Sequence, residues 1–139
     1  MLGVILGILT FVTVMYFDVK SDYKRIPTGR VSHGRGQVLR ILALLPSFAC
    51  FMLPVDDESI PTVMIKILIT AAMMAAWWWE FFDGWLNKMR GYSWRYNGSD
   101  DADDAKSDNF LQQFSPKEQM VIKWTLIILF TSLYTIFIR

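Results

Sequence analysis

The sequence predicts an all-α polytopic membrane protein: four transmembrane helices in one four-helix bundle, both termini extracytoplasmic. Three observations predict it. Apolar residues make up 53% of the 139 and charged residues 19%, a balance shifted toward the membrane class. The apolar residues gather into four runs, 1–17, 38–55, 62–79 and 120–138. Each holds roughly 17 to 19 residues, near the shortest length that crosses the hydrocarbon core. The charges lie between the runs and are sorted by sign.

The first run has no basic leader and no small-residue cleavage site before Asp18, so it is expected to be a retained span rather than a signal peptide. Gly3 and Gly7 form a G-x-x-x-G pair, which predicts close approach of another helix and a dimer or hetero-complex held partly through this span. The loop 18–37 is basic, with Lys20, Lys24, Arg25, Arg30 and Arg35. Asp18 and Asp22 lie in the same loop and are expected either to join a polar cluster or to pair with Lys and Arg.

The second run contains Pro46, predicted to kink its helix. Between the second and third runs stand Asp56, Asp57 and Glu58 with no base; after the third come Lys88, Arg90, Arg95, Lys106 and Lys117. The positive-inside rule therefore places loops 18–37 and 80–119 in the cytoplasm and the short acidic loop outside. Arg40, Lys66 and Lys123 fall near run ends, where long side chains snorkel toward headgroups. The acidic stretch 100–108 reads either as a flexible run or as a short helix capped by Ser99. Ser115, Pro116 and Glu118 form a capping box with proline at the first helical position, so the fourth helix is predicted to begin at Pro116.

The third run ends in Trp77, Trp78 and Trp79, an interfacial aromatic belt. Directly after it come Glu80, Asp83, Asn87 and Arg90. At helical spacing these four share a sector of about 80°, while Trp78, Phe81, Phe82, Trp85, Leu86 and Met89 occupy the opposite side. The third helix is thus predicted to continue as an amphipathic segment on the cytoplasmic surface. The polar face is expected to turn inward, within reach of residues 30–40, with Trp78, Phe82 and Trp85 toward lipid.

The candidate site follows from this face. Glu80 and Asp83 are spaced to act as acid and base or to hold a cation, with His33, the only histidine, as a possible third member. Arg30, Arg35 and Arg90 suit an anion such as a lipid phosphate, helped by Gly29, Gly34 and Gly36 in the same loop. The alternative is a structural polar network of Asp83, Asn87 and Arg90.

Other chemistries are set aside. Cys50 is the only cysteine, so neither an intrachain disulfide nor a cysteine-rich metal site is expected. No run contains histidine for haem ligation or a carboxylate at mid-membrane depth. There is no P-loop. A net charge of +1 gives no bulk attraction to nucleic acid. No metal and no cofactor are expected, apart from a bound phospholipid.

The stretch "EFFDG", Glu80 to Gly84, resembles the start of the signature of the CDP-alcohol phosphatidyltransferases. That signature continues to Ala-Arg where this chain has Asn87 and Lys88. Over Trp79 to Gly98 the chain is similar to small uncharacterised bacterial and phage membrane proteins with an F-D-x-x-x-N-x-x-R-G pattern followed by Y-x-G. This second resemblance implies no activity. Together the readings predict a small integral membrane protein in a bacterial inner membrane, or an equivalent energy-transducing or phage-derived one. Its partners are the lipid bilayer and either further copies of itself or other membrane proteins. It is expected to be a non-catalytic accessory or assembly subunit, or an oligomer that alters permeability. The alternative is a membrane-embedded enzyme acting on phospholipid headgroups at the cytoplasmic surface.

Overall fold

The computed structural model describes residues 2–25, 33–52, 59–95 and 113–138, with the backbone alone for 33–37. The described residues form four long helices: α1 (Leu2–Arg25), α2 (His33–Met52), α3 (Ile60–Met89) and α4 (Pro116–Phe137). Three of them, α1, α3 and α4, are long and apolar enough to cross a membrane; in α2 the apolar part is shorter, Val38–Met52. The chain is therefore an all-α integral membrane protein by helix length and composition. Its outward surface agrees. Leu9, Phe17, Leu68, Ile128 and Ile136 are all more than half exposed, as expected where the surrounding solvent is hydrocarbon rather than water.

The helix ends follow their local chemistry. α4 starts at Pro116, with Ser115 Oγ accepting from the Glu118 backbone N–H and Glu118 Oε2 accepting from the Ser115 N–H at 2.7 Å. α1 does not stop at Phe17 but runs on to Arg25, so Asp18 and Asp22 belong to its last turns rather than to a loop. The sequence between them has no glycine or proline to break the helix. α2 continues through Pro46. α3 ends in a Schellman motif: the Tyr92 N–H reaches Asn87 O at 2.9 Å, the Gly91 N–H reaches Lys88 O at 3.1 Å, and Gly91 takes φ +81°. That left-handed conformation costs glycine nothing, and it turns the chain back along α3.

Neighbouring helices run antiparallel. Gly7 of α1 faces Ser47 and Phe51 of α2, whereas Asp22 faces Arg40. Trp77 of α3 faces Thr131 of α4, whereas Asp83 faces Lys123. The assembly thus has two ends. One holds the charged pairs. Toward the other, Ser47 Oγ donates to Gly7 O at 2.7 Å and Tyr134 Oη donates to Phe51 O at 2.8 Å.

The core between these ends is aromatic. Phe11 meets Trp77 and Trp78 edge-on at 6.0 and 5.9 Å; Phe51 meets Trp77 and Tyr134 edge-on at 6.1 and 5.8 Å. Such edge-to-face pairs align ring quadrupoles and add to the area buried. A Cβ on Gly7 would come within 3.1 Å of the Phe51 ring. The close approach predicted from Gly3 and Gly7 is therefore occupied, at Gly7, by α2 of the same chain.

Candidate functional site

Among the described residues three polar groupings lie at the charged end, two built on helix contacts and one on the return of the chain after α3. In the first, α1 presents Asp18 and Asp22 one turn apart, and Arg40 from α2 pairs with both. The guanidinium also lies 4.9 Å from the centroid of the Phe82 ring of α3, where the π-face attracts it. Its Nε and Asp18 Oδ2 are in ion-pair contact but not aligned as a hydrogen bond. Two carboxylates hold Arg40 between the helices.

The second grouping is a hook. After the Schellman turn, Trp94 folds back onto α3. Its indole lies flat over Gly84, so close that a Cβ there would fall 1.9 Å from Trp94 Cε2. The indole N–H donates to Glu80 Oε1 at 3.0 Å, and Asn87 Nδ2 donates to the Trp94 carbonyl at 3.3 Å. Phe81 meets the indole edge-on at 6.4 Å. Glu80, Gly84 and Asn87 recur at helical spacing and form one slot. All three are buried, so the carboxylate and the amide find partners in the chain's own return.

The third grouping ties α3 to α4. Lys123 Nζ donates to Asp83 Oδ2 at 2.8 Å and lies 5.1 Å from the centroid of the Trp79 ring. The Lys123 side chain is only 13% exposed and that of Asp83 43%.

The predicted polar face is therefore divided among neighbours. Glu80 and Asn87 go to Trp94, Asp83 goes to α4, and Arg90 stacks its guanidinium 4.9 Å over the Tyr92 ring. Of the 30–40 segment expected within reach of this face, Arg40 pairs with Asp18 and Asp22 of α1. The other half of that expectation is overturned. Phe82 is buried, not lipid-facing, and Trp78 stacks on it at 5.3 Å while touching Phe11. The aromatic face turns toward α1 because its rings offer far more contact area to a neighbouring helix than to lipid, while the polar face is satisfied from α4 and the hook. Arg30 lies outside the described residues, as do the side chains of His33 and Arg35, the whole 100–108 stretch, and Asp56, Asp57 and Glu58. Among the described residues no cluster of histidine, cysteine and carboxylate side chains could hold a metal ion.

Trp94, Gly84, Arg40 and Lys123 were not among the predicted site residues. A signal existed for the hook. Gly91 directly after the last periodic residue marks a left-handed cap, and a lone glycine among aromatics marks a close approach. No local signal paired Arg40 with Asp22 or Lys123 with Asp83.

Between mid-helix and the charged end, α1, α3 and α4 line an open cavity of about 680 Å³. Ile8, Val12 and Met15 line it from α1, Trp77, Phe81 and Trp85 from α3, and Ile127, Ile128, Thr131 and Ser132 from α4. Trp77 Nε1 donates to Thr131 Oγ1 on its wall at 3.0 Å. Compared with protein-family models, with curated proteins and with solved structures, the chain finds no match.

Proposed function

We propose that the chain is a non-catalytic membrane subunit, an accessory or assembly component that works within a larger membrane complex or as an oligomer of itself. The charged end lies on the cytoplasmic side and both termini lie on the other, as the basic loops imply. The observation that carries this reading is the closure of the carboxylates at the charged end. Asp18 and Asp22 hold Arg40, Glu80 holds the Trp94 indole, and Asp83 holds Lys123. Asp83 is the most exposed of them, with a side chain 43% exposed, and it is held in an ion pair with Lys123. Here each carboxylate joins two segments of the chain, which is the work of a strut.

Native mass spectrometry of the full chain, gently extracted, tests the reading. The expected result is a partner subunit or a self-oligomer at fixed stoichiometry, retained in Asp83→Asn. The competing reading, an enzyme acting on phospholipid headgroups, has Asp83 as its base and Arg90 as its phosphate ligand. A monomer that turns over headgroups in phosphatidylglycerol vesicles, and loses that activity in Asp83→Asn, would establish the enzyme and reject the subunit.

A further inference from the structure

The cavity between α1, α3 and α4 is not used by the struts, and its surroundings define an occupant. We propose that it is a binding site for one phospholipid, with an acyl chain in the apolar cavity and the phosphate held by Lys20 and Lys88. Its lining is hydrocarbon and aromatic, apart from the Thr131 and Ser132 hydroxyls. Ile8, Val12 and Ile128 on its lining are exposed, so the cavity opens sideways, where lipid enters, and not along the helix axis.

Charge marks one end of it. Toward the charged end Trp85, a lining residue, meets Tyr16 of α1 edge-on at 6.3 Å. One turn further along α1, Lys20 lies 5.7 Å from the centroid of the Tyr16 ring. One turn beyond Trp85 on α3, on the same face, stands Lys88 in the last turn of the helix. Both lysines are exposed. The cavity thus leads from hydrocarbon to an aromatic pair and then to two ammonium groups on adjacent helices. Aromatic residues and lysines occupy this order of depths at a membrane interface. Of the carboxylates at this end, Asp83 is paired with Lys123, Asp18 and Asp22 share the single charge of Arg40, and Glu80 is buried against the Trp94 indole, whereas the two lysines are exposed. A helix from a partner would fill the same hollow, but it would bring no anion to this depth by necessity. A phospholipid always does.

The test uses the full chain in a mild detergent, titrated with dioleoyl phosphatidylglycerol and read by native mass spectrometry. The expected result is one retained lipid per chain. Lys20→Gln with Lys88→Gln should weaken that binding about 10-fold, since each lysine near the surface contributes measurably to holding an anionic lipid. Both are surface changes that leave the core intact. Ser132→Phe, which intrudes on the cavity, should weaken retention without affecting partner stoichiometry, which separates this site from the subunit reading. Unchanged lipid affinity in the double lysine variant would overturn the proposal. So would a protein partner, rather than lipid, lost on Ser132→Phe.

Discussion

The two ends of the helix assembly are held by different physics. Toward the apolar end, neutral groups make close contacts: Gly7 under Phe51, Ser47 on a backbone carbonyl, Tyr134 on another. At the charged end, ion pairs join α1 to α2 and α3 to α4, and an indole–carboxylate bond ties α3 to its own return. A neutral contact that is lost leaves at most one unsatisfied group. An ion that loses its partner leaves a charge in a place from which water is largely excluded. Single substitutions should therefore hurt the charged end more than the apolar end.

The largest effect is expected for Arg40→Met. It strands Asp18 and Asp22 together, and thermal unfolding in detergent should show a loss of about 2–4 kcal/mol. Adding Asp18→Asn and Asp22→Asn should recover most of it, because the cost is the stranded charge and not the missing bond. Failure of that recovery would break the comparison.

Gly84→Ala comes next, with an expected loss of about 2 kcal/mol. The new Cβ evicts Trp94, and Glu80 loses its donor. Tryptophan emission should shift to the red as the indole leaves its slot. An unshifted spectrum at unchanged stability would show that the hook does not hold.

At the apolar end, Gly7→Ala is expected to cost about 1 kcal/mol, since the buried Phe51 must give way by a few tenths of an ångström. Ser47→Ala should cost about 0.6 kcal/mol, the average for a hydrogen bond between membrane helices. A Ser47→Ala loss as large as that of Arg40→Met would erase the distinction between the ends.

The smallest effect sharpens the contrast from within. Asp83→Asn removes a carboxylate that is nearly half exposed and leaves Lys123 the amide oxygen of the new side chain as an acceptor, so about 0.5 kcal/mol is expected. Exposure, rather than charge alone, then sets the cost at the charged end.

Much of the architecture was legible in the sequence. Four apolar runs and four helices correspond, and the capping box fixed the start of α4 at Pro116 because its hydrogen bonds are all local. Helical phase also placed Glu80 and Asn87 on one face, and both are buried there. The end of α1 was harder. Hydropathy drops at Asp18, but the backbone continues to Arg25 because nothing between them breaks a helix.

What the sequence by itself determined is what depends on neighbours a few residues apart: helix content, caps, the turn at Gly91 and the separation of polar from aromatic faces on α3. Only the tertiary structure decided which way those faces turn and whom each ion meets. The physical reason lies in the solvent. In water, the apolar face of a helix must point inward, so periodicity reveals orientation. In a bilayer, lipid is as apolar as the core, and that rule loses its force. Orientation then falls to contacts between distant segments, such as Phe82 under Arg40, Trp94 over Gly84 and Lys123 on Asp83. Apart from the glycines that mark the hook, no local pattern in the chain encodes those pairings.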